Sequence, residues 1–99
     1  MAFEILYSPE AVDHLSVLPK ADQVLVLDQV KEQLVHQAML ATYKRKLLRP
    51  NSIAPWELRL GDLRVFYEVL EEPVARVNVK AVGKKVHNEL WIGRERIQL

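Results

Sequence analysis

The stretch that most restricts the fold of this 99-residue chain runs from Pro55 to Val69, PWELRLGDLRVFYEV. Two runs of strand-forming residues flank Gly61-Asp62, and a two-residue loop with glycine first signals a type II′ hairpin. Trp56 to Leu60 and Leu63 to Glu68 therefore read as antiparallel strands. Counting outward from the loop pairs Leu60 with Leu63, Arg59 with Arg64, Leu58 with Val65, Glu57 with Phe66 and Trp56 with Tyr67. Side chains alternate between faces, so Trp56, Leu58, Leu60, Leu63, Val65 and Tyr67 form one wholly apolar face that must be core. The other face carries Glu57, Arg59, Arg64, Phe66 and Glu68 and sets two arginines opposite each other, where like charges repel. An anion between them would resolve the repulsion, because the guanidinium fork matches phosphate oxygens. The ordinary alternative, favoured by the pair taken alone, is that Glu57 and Glu68 neutralise the arginines on a solvated face.

The rest of the chain must cover the apolar face. Ala2 to Tyr7 alternates with Phe3, Ile5 and Tyr7 on one side, as in a short strand. Ser8-Pro9-Glu10 supplies an N-cap, a proline at the first helical position and an early acid, so a first helix starts there and ends at Leu18-Pro19. Its apolar positions are Ala11, Leu15 and Leu18, with Val12 beside them. A second helix is expected from about Ala21 to His36, with a stripe of Val24, Leu27, Val30 and Leu34 widened by Val26 and Val35. The two form an αα-hairpin whose apolar side belongs on the apolar face of the sheet.

Ala38 to Pro50 reads as a fading helix and then a basic connector with Lys44, Arg45, Lys46 and Arg49, solvated residue by residue but able as a cluster to meet a phosphate backbone. After the hairpin and a turn at Leu70 to Pro73, Val74 to Val82 alternates again. Ala75, Val77, Val79 and Ala81 are expected on one face, and Arg76, Asn78 and Lys80 on the basic outer one. Lys84, Lys85 and His87 follow at the exit of that strand. The tail, ELWIGRERIQL, has the period-two spacing of extended structure. His14 and His36 stand alone on helices and receive no chemistry.

Ninety-nine residues suit one domain, spanning 1–99, that buries roughly 60 to 70% of the unfolded chain's surface. There is no cysteine, which excludes disulfides and thiolate chemistry. No apolar run approaches bilayer length and the N-terminus lacks a basic leader, so a cytoplasmic, soluble protein without membrane association is expected. The net charge of +1 hides an asymmetry. Residues 1–43 hold two basic and six acidic side chains, a balance of −4, and residues 44–99 hold twelve and seven, a balance of +5. A basic half on a nearly neutral chain suggests a localised anion-binding surface, with nucleic acid the commonest large partner. Glycine-rich phosphate loops, zinc signatures and serine elbows are absent.

The order strand, helix hairpin and three meandering strands, with WELRLGDLRVFYEV followed by VKAVGKK, resembles the RelE/ParE superfamily of type II toxin–antitoxin toxins. The resemblance covers nearly the whole chain. It implies an α+β, RelE-like domain: an N-terminal strand, an αα-hairpin, then an antiparallel meander of three strands with the helices packed on one sheet face. It also implies a cognate antitoxin that wraps the toxin, the ribosome and messenger RNA as partners, a homodimer when the antitoxin is absent, and no metal or other cofactor. RelE-like members cut messenger RNA in the ribosomal A site with basic residues on the concave sheet face. Arg64 is the strongest positional match, followed by Arg59 and by Lys84 or Lys85. Preorganised cations there would stabilise charge building on the attacked phosphate, and His87 is the only nearby group with a suitable ordinary pKa for proton transfer. Lys44, Arg45, Lys46, Arg76, Lys80 and Trp91 complete the expected RNA-binding set.

The chain departs from the RelE pattern at two positions. Trp91 stands where the family has a proton-transferring tyrosine, and an indole can stack on a base but cannot transfer a proton. Glu57 replaces a strand lysine, which weakens the cationic field but offers a carboxylate to accept the 2′-hydroxyl proton. ParE-like relatives share the architecture and poison DNA gyrase instead. Three functions are therefore expected to compete: a ribosome-dependent endoribonuclease, a gyrase inhibitor, and an antitoxin-binding module that has lost its chemistry.

Overall fold

The computed structural model describes residues 2–99 and is a small α+β fold, two helices packed on one face of an open seven-stranded sheet. The elements are β1 (Glu4–Tyr7), α1 (Pro9–Ser16), α2 (Lys20–Leu34), β2 (Arg45–Leu47), β3 (Trp56–Leu60), β4 (Leu63–Leu70), β5 (Arg76–Val86), β6 (Glu89–Ile92) and β7 (Glu95–Ile97). Strands β2 to β7 follow one another across the sheet as an antiparallel meander. Strand β1 adds in parallel to the first half of β5, from Glu4 opposite Arg76 to Tyr7 opposite Val79.

The β3–β4 hairpin has the expected register, with Arg59 opposite Arg64 and Trp56 opposite Tyr67. Gly61 carries the positive φ, 62°, that the first loop position requires and that glycine adopts without strain. The predicted inner face is buried throughout, and Trp56 stacks on Tyr67 with ring centroids 6.0 Å apart. Ser8 caps α1 by accepting the Ala11 N–H at 3.0 Å, with Pro9 in the first turn, and α1 seats Ala11 and Leu15 in the core.

Two expectations need correction. On α2 the buried residues are Val26, Val30 and Leu34, while Val24 and Leu27 are each 46% exposed. Apolar residues surround much of this helix, so periodicity alone left its rotation open, and the i, i+4 row nearest the sheet took the core. The connector contains a strand, β2, whose three residues are too few to show alternation. The tail is extended as expected and folds back on itself as a hairpin, β6–β7, turned at Gly93, whose φ is 62°.

The correction that matters most lies in β5. Phe66 pairs with Ala81 but Tyr67 pairs with Val79, so Lys80 is the extra residue of a β-bulge. Alternation flips there. Val77 and Val79 face the helices as expected, but beyond the bulge Ala81 turns to the outer face and Val82 to the core. The outer face is consequently not all polar. Phe66, Ala81, Leu90 and Ile92 form a second, smaller core on it with Ala54 of the β2–β3 loop, and Leu48, Ile53 and Ile97 pack around them.

Candidate functional site

The bulge decides which cations share a face. Register places Arg59, Arg64 and Gly83 in one row on the outer side, and Lys85 on that side opposite Leu90. Lys84 points the other way and forms an ion pair with Asp22 of α2 at 3.0 Å. Only Lys85 of the lysine pair thus joins the arginines.

Beside the second core, the outer face opens into a groove of about 920 Å³. Its basic lining comes from Lys46 on β2, Arg49 in the following loop, Arg59 on β3, Lys85 on β5 and Arg96 on β7. Glu57 and Glu89 are the acids. Arg59 donates from Nε to Glu57 Oε1 at 2.9 Å, and Arg96 pairs with Glu89 at 2.6 Å. Lys46, Arg49 and Lys85 make no ion pair among the described residues, so the groove keeps a net positive field. Such a surface attracts phosphates and strengthens as salt falls.

The remaining predicted residues separate. Arg64 lies beside the groove rather than on its wall; its Nη1 donates to the carbonyls of Gly61 and Leu63, which braces the hairpin loop, and its Nε is buried without a hydrogen-bond partner. His87 and Asn88, with φ of 52° and 66°, form the two-residue β5–β6 turn, the backbone of a type I′ loop. His87 is exposed at the tip of that turn, while Asn88 lines the groove. Trp91 pairs with Lys84 and so stands on the helix side of the sheet, away from Arg59 and Arg64 and opposite Arg96 of β7, at 39% exposure.

Arg45 is a structural residue. It is 3% exposed, and its guanidinium donates to the carbonyls of Leu40 and Gln33 and to the side chains of Gln33 and Gln37, fastening the chain after α2 to the sheet. Lys44 is half-buried, and its carbonyl accepts the Arg59 N–H at 2.7 Å. Lys80 is exposed at the bulge, with its carbonyl taken by Ser8 Oγ at 3.2 Å. Arg76 begins β5, nine residues before Lys85 and so roughly 25 to 30 Å along the strand. Its outer-face neighbours Asn78 and Glu68 bond to each other at 2.9 Å, far from the groove.

Arg49 and Arg96 line the groove although neither is marked by the hairpin pattern. The signal for Arg96 was the Gly-Arg-Glu-Arg run of the tail, readable only once the tail is folded back as β7. Among the described residues no group of three or more histidine, aspartate or glutamate side chains is placed to hold a metal ion, and no helix is long and apolar enough to cross a membrane. No protein-family model matches the chain, and no curated protein matches it.

Proposed function

We propose that the protein is the toxin of a type II toxin–antitoxin system, a RelE-like, metal-independent endoribonuclease that cuts messenger RNA on the ribosome and stops translation. The observation that carries this reading is the convergence of Lys46, Arg49, Arg59 and Lys85, from the β2 segment, β3 and β5, on one groove of the sheet face opposite the helices. A backbone phosphate seated between Arg59 and Lys85 would be attacked by the neighbouring 2′-hydroxyl. The P–O5′ bond breaks as the new P–O2′ bond forms, leaving a 2′,3′-cyclic phosphate and a 5′-hydroxyl. The cations stabilise the extra charge of the pentacoordinate phosphorus, where fixed donors contribute most. His87, at the rim beside Asn88, is the histidine nearest in sequence to the groove wall and takes the acid–base role.

The cognate antitoxin covers the helix layer in this reading. Val24, Leu25 and Leu27 of α2 are each more than 40% exposed, an apolar surface suited to a protein partner. Placement of the acid–base candidate at a rim, with Trp91 on the far face, favours the non-cleaving antitoxin-binding module as the second reading.

Expression in a bacterial host without an antitoxin, with messenger RNA ends mapped on ribosomes, tests the proposal. New ends in translated frames that vanish with Arg59→Ala and Lys85→Ala support it. Growth arrest without such ends redirects the target to gyrase or another protein, and the absence of arrest supports the non-cleaving module.

A further inference from the structure

Among the described residues Glu57 is the one buried carboxylate, 7% exposed on the outer face between exposed Lys46 on β2 and fully buried Phe66 on β4. An ionised carboxylate held out of water needs a cation or several donors, or it destabilises the fold. Its hydrogen bond is to Arg59, two residues along the same face of β3, from Nε to Oε1 at 2.9 Å. The side chain of Glu57 is 9% exposed and that of Arg59 44%. The carboxylate is therefore largely withdrawn from solvent while the arginine it holds is not. Because the bond engages Nε, the terminal nitrogens of Arg59 remain without a protein acceptor among the described residues.

Resting on the groove as the RNA-binding surface, we infer that Glu57 is the positioning residue of Arg59 and not the proton acceptor of the reaction. A general base must come within hydrogen-bond reach of the hydroxyl it deprotonates. Oε1 of Glu57 already accepts from Arg59 and the side chain is only 9% exposed, so the carboxylate offers the groove no more than Oε2. Its effect is to fix the guanidinium fork before the anion arrives. An unrestrained arginine loses rotamer freedom on binding, and a held one has already lost it.

Removing Glu57 also removes a negative charge, which by itself strengthens anion binding, so comparison with the wild type alone cannot isolate positioning. Glu57→Gln and Glu57→Ala remove the same charge and differ in whether residue 57 can accept the Arg59 Nε–H. The full chain carrying each is titrated with a fluorescein-labelled single-stranded RNA decanucleotide at fixed salt. The expected result is that the Gln variant binds roughly fivefold more tightly than the Ala variant, a share of the rotamer entropy of one arginine. Nitrogen-15 spectra should show the Arg59 Nε proton exchanging slowly in wild type and Gln variant and fast in the Ala variant. Equal affinities of the two variants, or fast exchange of that proton in the wild type, overturn the inference, and the second readout holds even if the Ala variant fails to fold. Loss of messenger RNA cleavage in the Gln variant with RNA affinity intact would make Glu57 the base and also overturn it. If the wild type binds the decanucleotide with the expected order of variants but cuts no messenger RNA in cells, the nuclease reading fails and the positioning role stands. If the wild type does not bind the decanucleotide, the positioning role fails whatever the cells show.

Discussion

The ammonium of Lys84 lies 3.0 Å from the carboxylate of Asp22, on the helix side of the sheet. Its neighbour Lys85 lines the outer groove. Two adjacent lysines thus belong to different layers, and their roles separate cleanly. Lys85→Ala should weaken binding of single-stranded RNA and lower the salt dependence of the affinity by about one counterion. Lys84→Ala should leave both unchanged and cost less than about 1 kcal/mol of stability, since the ion pair is part-exposed. Affinity measured at several salt concentrations checks both, and equal slopes for the two variants would contradict the assignment.

That separation was not legible in the sequence. Val74 to Val82 alternates without interruption, and strict alternation carried through Ala81 misplaces every later side chain by one face. The bulge at Lys80 has no glycine to announce it and arises where β1 ends: Ser8 takes the Val79 and Lys80 carbonyls that β1 no longer reaches. The β3–β4 hairpin was legible because a tight loop fixes register outright, and α1 because its cap, proline and apolar spacing agree. The rotation of α2 was not, for lack of a polar face. The groove needs β2 and β7, two three-residue strands below the length at which periodicity speaks. Arg59 and Glu57 could be placed on one face from sequence, but their bond could not.

Gly83 pairs with Ile92 where β6 packs against β5. A Cβ there would stand 2.6 Å from the Trp91 carbonyl and 3.0 Å from an Ile92 side-chain carbon, and backbone cannot yield as a flexible side chain does. Gly83→Ala should cost roughly 1 to 3 kcal/mol by overpacking. The loss should be local, seen by hydrogen exchange as reduced protection of the β6–β7 hairpin before that of β3 and β4. An unchanged melting temperature would contradict it.

Tyr67 is fully buried, and its hydroxyl donates to the Ala38 carbonyl at 2.7 Å, tying the segment after α2 to the sheet centre. Burial holds the phenol protonated well above its ordinary range, despite the opposing influence of Arg45. Tyr67→Phe keeps the ring against Trp56 but leaves that carbonyl without its donor. The expected loss is about 1 to 2 kcal/mol in urea denaturation, the cost of one unsatisfied buried acceptor. Stability equal to wild type would mean that water replaces the hydroxyl there.

His14 completes the ladder of β5 at the gap between β1 and β6. Its Nδ1 accepts the Val82 N–H at 3.3 Å, and Gly93 of the β6–β7 turn lies against the ring. Only the neutral imidazole can accept at that nitrogen, since protonation makes both ring nitrogens donors. Burial lowers its pKa from the ordinary 6.5, against the weaker opposing pull of Asp13, Glu10 and Glu95. The folded value lies below the unfolded one, so the unfolded state binds the proton first as pH falls. The contribution of His14 is complete above about pH 6.5 and is lost progressively as pH drops from there through the folded value. Wild type and His14→Gln differ at this side chain alone, so their comparison isolates it. Glutamine presents an acceptor oxygen that does not titrate. Urea denaturation at pH 8 and pH 5 should therefore show wild type losing stability relative to His14→Gln on acidification, with the β6–β7 hairpin loosening first. Parallel profiles would mean that Val82 finds another acceptor when the ring is charged.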